Sequence, residues 1–241
     1  SIHYVHGLAM LKLERFKEAI EPFSECITKR DEPTFTARFK GVEGHGPHHL
    51  LADCLAKTGQ NEKAISEYEK ALAIAPKATS VRHGYAHYLT ELEQPEKAVK
   101  LLFDAIENDS IDARLWSLGC RIVNGHLNDS QVALHWTDCA SGEFPEHPEI
   151  IKQRGIALLT AGQFSEAQPF FRESPLGPAH VTEAALFLCQ LGSDQEITPL
   201  PQNDEEGISC QVAEWYRRML IHRQVEAVDT IAARLDDMER F

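Results

Sequence analysis

Small and apolar residues recur along much of the chain at spacings of three and four positions, the pattern of amphipathic helices. One clear instance begins near residue 51 and is carried by Leu51, Ala52, Leu55, Gly59, Ala64, Tyr68, Ala71, Leu72 and Pro76. The residues before Gly59 share one helical face, and those after it share another. Glycine ends the first helix, and proline blocks continuation of the second. The pattern therefore predicts two short helices joined by a tight turn.

The same arrangement returns with a period of about 34 residues. The stretch 52–76 aligns with 86–110, and the small or apolar anchors of successive repeats are Ala19, Ala64, Ala98, Val132 and Ala167. The first spacing is 45 residues, one period plus 11 extra residues that fall between Asp31 and Gly46. A repeat of this length is typical of a solenoid built from helix pairs.

These repeats resemble tetratricopeptide repeats. The repeat over 45–78 matches that family's pattern nearly throughout, at Ala52, Ala64, Tyr68, Ala71 and Pro76. The resemblance implies an all-α fold, a right-handed superhelical solenoid of stacked antiparallel helix pairs. It also implies that the first helix of each pair lines a concave groove, which binds peptides or partner proteins and performs no chemistry itself.

The repeats divide the chain into two regions. Residues 1–175 are expected to form five helix pairs, with the 11-residue insertion between the first and the second. Residues 176–241 begin with a degenerate repeat, HVTEAALFLCQLG, and continue through an acidic loop, SDQEITPLPQNDEEG. The last helical pair is expected to cap the stack, because a terminal repeat needs a polar outer face.

The resemblance also assigns groove residues, at the second, fifth, ninth, twelfth and thirteenth positions of each repeat. The groove residues expected to meet a partner are Tyr4, His49, Asp53, Lys57, His83, His87, Glu91, Ser117, Arg121 and Asn124. Chaperone-binding members of the family hold a peptide carboxylate with lysine at the fifth position and asparagine at the ninth. Here those positions hold Tyr4 with Leu8 and His49 with Asp53, so a co-chaperone role is not expected.

Four of the groove residues raise an alternative. His49 and Asp53 lie four positions apart on one helix, as do His83 and His87 on the next first helix, so each pair shares a face. Three imidazoles and a carboxylate could bind zinc or a similar ion if the helices are adjacent. The plainer interpretation is that these histidines form ordinary polar groove surface. A metal- or small-ligand-binding groove is thus the second hypothesis beside an interaction scaffold.

Composition narrows the range of partners. The formal net charge is -13, which disfavours nucleic acid and anionic membranes as partners. The six cysteines form no Cys-x-x-Cys pair and are expected to be buried thiols, consistent with a cytoplasmic location. No nucleophile elbow, phosphate-binding loop or His-Glu-x-x-His motif occurs, so neither catalysis nor a cofactor is expected of this chain.

A further resemblance concerns the wider protein. The repeat HYVHGLAMLKLERFKEAIEPFSECI and the long connection ending in GVEGHGPHHLLADC are similar to repeats that follow the catalytic domain of bacterial family 2 glycosyltransferases. Because the sequence starts inside a repeat without methionine, we expect it to be an accessory domain of a larger protein. The sequence leaves open the identity of the partner and the oligomeric state.

Overall fold

A computed structural model describes residues 2–29, 44–107, 112–127, 129–173, 176, 179–193, 207–221 and 224–239. The chain forms thirteen helices and no strand within those ranges. The helices are α1 (Ile2–Lys12), α2 (Phe16–Thr28), α3 (His45–Lys57), α4 (Asn61–Ile74), α5 (Thr79–Glu91), α6 (Pro95–Glu107), α7 (Ala113–His126), α8 (Ser130–Glu143), α9 (Pro148–Thr160), α10 (Phe164–Glu173), α11 (Ala179–Leu191), α12 (Ile208–Ile221) and α13 (Val225–Glu239). The predicted all-α solenoid of helix pairs is confirmed.

The turns inside the pairs follow one design. The second residue after the first helix takes a left-handed backbone conformation in four turns: Glu14, Gly59, Glu93 and Gly162, with φ between 56° and 75°. The next amide then donates to a carbonyl five residues back, as from Gln60 N to Leu55 O at 2.9 Å. This bond is the Schellman ending of a helix, and it reverses the chain within a few residues.

The chain divides into two compact units, residues 1–115 and 116–241. In the first unit, α1 packs on α2, α2 on α3, α3 on α4 and α5 on α6. The anchoring alanines Ala19, Ala64 and Ala98 are fully buried, because a small side chain there allows two helices to approach closely. Phe23 and Tyr68 fill the space beside them.

In the second unit, α8 packs on α9, α9 on α10, α10 on α11, α11 on α12 and α12 on α13. Two aromatic residues join α7 to α8: the rings of Trp116 and Trp136 lie 5.6 Å apart, and Trp136 Nε1 donates to the Trp116 carbonyl at 3.4 Å. The helices α11, α12 and α13 lie within residues 176–241, where the sequence predicts a degenerate repeat and a last helical pair.

The predicted register of α8 is wrong by one residue. Val132 was the expected anchor, but it is 38% exposed, whereas Ala133 is fully buried. The α7–α8 turn causes the shift, because α8 begins at Ser130, one residue later in its repeat than its counterparts α4 and α6. No described residue of that turn has the left-handed conformation found in the other four. Asp129 caps α8 instead, accepting from the amides of Gln131 and Val132.

The same shift overturns one cysteine assignment. Cys139 was expected to be a buried filler, but it is exposed and Ala140 is buried in its place. Cys210 is exposed as well, whereas Cys26, Cys54, Cys120 and Cys189 are buried as predicted.

Two predicted segments lie outside the described residues: most of the 11-residue insertion and most of the acidic loop. Among the helices that the structure describes, none has the length and apolar character needed to cross a membrane.

Candidate functional site

A cleft of about 360 Å³ lies in the first compact unit, beside the first helices of its three repeats. It is lined by Leu11, Phe16, Asp53, Ala56, Lys57, Tyr68, His83, Gly84, His87, Tyr88 and Glu91. Five of the ten predicted groove residues are among them: Asp53, Lys57, His83, His87 and Glu91. The cleft thus has an apolar and aromatic floor with charged or polar side chains around it.

Helix geometry explains why these residues meet. Asp53 and Lys57 are four positions apart on α3, and His83, His87 and Glu91 follow at the same spacing on α5. Residues four apart lie one above the other on a helix, so each set forms one column. The α3 and α5 helices are in contact, which brings the two columns to the same cleft.

Asp53 is the central polar residue of the cleft. Its Oδ1 accepts a hydrogen bond of 2.5 Å from the hydroxyl of Tyr68, and its Oδ2 lies 3.7 Å from His49 Nε2. Burial raises the pKa of the Asp53 carboxyl, although His49, the Tyr68 hydroxyl and Lys57 pull it down. The carboxylate is therefore less well stabilised here than it would be in water.

The two neighbours of Asp53 respond to the same environment. Burial lowers the pKa of the His49 imidazole, and the attraction of Asp53 offsets only part of that effect. The pKa of the Tyr68 hydroxyl is raised, first by burial and then by the charge of Asp53. The site is thus a carboxyl group held between an imidazole and a phenol, and burial disfavours the charged form of all three.

The charged groups at the edge of the cleft pair with one another. Glu91 Oε1 lies 3.4 Å from Lys57 Nζ and 3.5 Å from His87 Nδ1. All three side chains are largely exposed, so these contacts add little to stability. Their importance lies in the charge pattern of the cleft, because Lys57 already forms an ion pair with Glu91.

Tyrosines build the floor of the cleft. Tyr68 stacks on Tyr85 with ring centroids 5.0 Å apart, and Tyr88 lies 5.9 Å from Tyr68. The Tyr88 hydroxyl donates to Asn61 Oδ1 at 2.9 Å. Sequence reasoning assigned Tyr68 to the buried face of α4, where it is 2% exposed, and did not single out Tyr88. Their place beside the cleft depends on tertiary packing, for which the sequence pattern carries no signal.

Gly84 lets the α5 backbone approach α3. A Cβ at this position would lie 2.9 Å from His49 Nε2, closer than van der Waals contact allows. Any larger residue must displace the imidazole from its place beside Asp53.

The remaining predicted groove residues lie elsewhere. Tyr4 is half-buried and packs edge-on against Phe23, with ring centroids 6.0 Å apart. Arg121 is exposed on α7, but Ser117 and Asn124 on the same helix are buried. Asn124 Nδ2 donates to the backbone oxygen and to Oε1 of Gln153 on α9, both at 2.8 Å. This stretch of the predicted groove is closed by the next repeat.

The structure does not assemble the metal site of the second hypothesis. His49 and Asp53 are adjacent, and His83 and His87 line the same cleft as Asp53. Nevertheless, no group of three or more His, Cys, Asp or Glu side chains in the described part of the chain is arranged to hold a metal ion. The geometry favours recognition by hydrogen bonds, charge and aromatic contact.

Comparison with known proteins agrees with the fold. A sequence profile of the tetratricopeptide repeat matches residues 48–173, just over half of the chain. A search of curated proteins finds no significant match.

Solved structures of similar fold include a PilF protein of Pseudomonas aeruginosa, with a TM-score of 0.58 and 14% identity, over 94% of this chain and 96% of that one. Another is MamA of Desulfovibrio magneticus RS-1, with a TM-score of 0.54 and 16% identity, over 72% of this chain and 91% of that one. A MamA structure labelled AMB-1 has a TM-score of 0.51 and 17% identity, over 72% and 88%. At these identities the likeness concerns the fold alone.

Proposed function

The chain belongs to the tetratricopeptide repeat family, and on that premise we propose that it is an interaction scaffold whose cleft between α1, α3 and α5 binds a partner protein or peptide. Stacked helix pairs of this kind expose extended surfaces for binding. The observation that carries the proposal is the cleft itself, which gathers Asp53, His83 and His87 above an apolar floor.

The chemistry of the cleft supports peptide recognition. Binding sites typically combine an apolar surface with a few polar groups that orient the ligand. Here Phe16 and Tyr88 supply apolar surface, while Asp53 and Glu91 supply hydrogen-bond acceptors. The acidic balance of the chain, with a net charge of -13, makes nucleic acid and anionic membranes poor partners. We also propose a cytoplasmic location, on the cysteine pattern alone.

The wider context is a separate proposal. The likeness of residues 1–75 to repeats of bacterial family 2 glycosyltransferases suggests an accessory domain, and the comparisons add nothing to that link. Reading the parent gene upstream of Ser1 tests it, and a parent without a catalytic domain would remove it.

The scaffold proposal can be tested by selecting binders from a library of random short peptides displayed on phage. Selection on the wild-type chain is compared with selection on Ala56→Trp, in which the new side chain fills the cleft that Ala56 lines. Ala73→Trp is the matched control, because Ala73 is exposed on α4 outside the cleft. We expect wild type and Ala73→Trp to select the same peptides and Ala56→Trp to lose them. If Ala56→Trp retains every selected peptide, the cleft is not the binding surface.

A further inference from the structure

We propose that the cleft receives a positively charged side chain, arginine or lysine, of the partner, with Asp53 as its counter-charge. This inference rests on the proposed function and deepens it, because it names the chemistry that the partner must carry.

The first observation is the charge balance of the cleft. Lys57 is paired with Glu91 at 3.4 Å and acts on Asp53 only at longer range. Asp53 has no such partner: among the described residues, no lysine or arginine nitrogen lies within 4.0 Å of its carboxylate. The closest basic nitrogen belongs to His49, whose imidazole burial keeps neutral. Among the described residues that line the cleft, Asp53 is therefore the carboxylate that no lysine or arginine pairs.

The second observation is the free hydrogen-bonding capacity of that carboxylate. Its Oδ1 is occupied by the Tyr68 hydroxyl, but Oδ2 is 3.7 Å from His49 Nε2, beyond hydrogen-bond distance. The Asp53 side chain keeps 37% of its surface exposed, so the oxygen can be reached from the cleft. An ammonium or guanidinium group could donate to it directly, and such charge-assisted bonds are about twice as strong as neutral ones.

The third observation is the aromatic surface next to Asp53. Tyr68 and Tyr88 both line the cleft, and their ring centroids are 5.9 Å apart. The two residues are only 2% and 4% exposed, so a small part of each ring faces the cleft, but a cation bound at Asp53 would lie near both rings. Aromatic rings attract cations, arginine most often, within about 6 Å. A carboxylate beside tyrosine rings is chemically suited to a cation and unsuited to a second carboxylate.

The electrostatic state of the free protein agrees with this assignment. Burial raises the pKa of Asp53, so the charged form is under-stabilised until a cation arrives. A bound cation would remove that penalty and lower the pKa again. The volume of about 360 Å³ lies near the small end of ligand sites, which suits one or two side chains of a peptide.

The test is a titration of the full, ¹⁵N-labelled chain followed by amide chemical shifts. The probe is N-acetyl-arginine methylamide, and its matched control is the citrulline analogue, which has nearly the same shape without the charge. We expect the arginine probe to produce saturable shifts in residues 53–57 and 83–91, with affinity about tenfold above that of citrulline, the equivalent of about 1.4 kcal/mol. N-acetyl-aspartate methylamide should bind more weakly still.

Variants of the chain give a second, independent readout. Asp53→Asn keeps an acceptor for Tyr68 but removes the charge, and it should abolish the preference for arginine over citrulline. Asp104→Asn, which removes a carboxylate exposed on α6, should leave that preference intact.

Equal binding of arginine and citrulline, tighter binding of aspartate, or an unchanged preference in Asp53→Asn would each overturn the inference. If the peptide selection still yields cleft-dependent peptides without basic residues, only the inference fails. If it yields no cleft-dependent peptide at all, the proposed function fails with it.

Discussion

The fifth and twelfth positions of the repeat have opposite surroundings in the two compact units. In the first unit these positions include His83 and Ala56, which line an accessible cleft. In the second unit they carry Ser117 and Asn124, which are buried, and Asn124 is hydrogen-bonded to Gln153 of the next repeat. The position within a repeat thus decides which way a side chain faces, but the neighbouring repeat decides whether a partner can reach it.

The difference extends to the small residues that allow close helix packing. In the first unit, Gly84 faces the end of the His49 side chain, next to Asp53. In the second unit, Gly119 faces the ring of Trp136, which is almost completely buried. We therefore expect the side chain beside Gly84 to be displaced more easily than the ring beside Gly119.

The largest expected effect comes from Gly119→Ala. The added methyl group would lie 2.2 Å from Cζ2 of Trp136, a ring that is only 6% exposed. We expect a loss of about 3 kcal/mol in the free energy of unfolding, at the upper end for overpacking. Urea denaturation followed by circular dichroism measures it.

Gly84→Ala is the matched variant in the first unit. Its methyl group would be too close to His49 Nε2, at 2.9 Å, and in ordinary van der Waals contact with Asp53 Oδ1 and Tyr68 Cε1, both at 3.6 Å. Alanine favours the helix by up to about 1 kcal/mol over glycine. Its stability should stay within about 1 kcal/mol of wild type. Equal losses in the two glycine variants would contradict the proposed difference in rigidity.

The next largest effect is expected from Asn124→Ala. The change leaves the backbone oxygen and Oε1 of Gln153 without their buried donor, at a cost of about 2 kcal/mol. Ser117→Ala is its control on the same helix, because Ser117 Oγ is buried without a hydrogen-bond partner among the described residues. That variant should match or exceed wild-type stability. A stability loss in Ser117→Ala as large as that in Asn124→Ala would mean that Ser117 has a partner of its own.

Acidification should lower the free energy of unfolding by a smaller amount. Because burial lowers the pKa of His49 below its ordinary value of about 6.5, the folded protein resists protonation at this residue while the unfolded chain does not. The lowered pKa of His49 therefore stabilises the folded state fully above pH about 6.5, and this stabilisation is lost as the pH falls below that value. Asp53 and His45 act on the same imidazole, with opposite signs.

His49→Gln isolates this contribution. The wild type should lose more stability than the variant between pH about 7.5 and about 5.5, measured by urea denaturation at each pH. Parallel losses in both proteins would show that His49 does not titrate with a lowered pKa. No corresponding effect is expected from the α7 face in the second unit, because Ser117 and Asn124 do not titrate.

The smallest expected effect is that of zinc. We expect no saturable heat when zinc chloride is titrated into the wild-type chain, because no described group of ligands is arranged to hold a metal ion. Saturable heat that disappears in His83→Ala would revive the metal hypothesis for the cleft.

The repeat pattern predicted the helix pairs of the first unit well, because each repeat satisfies the same local rules. Gly59 ends α3 in the left-handed conformation, Ala64 is buried where α4 meets its neighbours, and Asp53 faces the cleft. Local propensity, turn chemistry and hydrophobic period agree there.

The pattern failed where those rules conflict. In α8 the period points to Val132 when counted from Ala98, but to Ala133 when counted back 34 residues from Ala167. The α7–α8 turn sets the register that places Ala133 in the core, since its described part carries no left-handed residue and α8 begins at Ser130. Burial of Asn124 was also unpredictable, because Gln153 belongs to the following repeat, almost 30 residues along the chain.

The most direct test of the central claim, that partners bind the α3–α5 cleft and not the α7 face, is amide hydrogen exchange of the full chain with and without a selected peptide. The account predicts slower exchange in α3 and α5 on binding, and unchanged exchange in α7 and α9. Protection in α7 and α9 with none in α3 and α5 would contradict it.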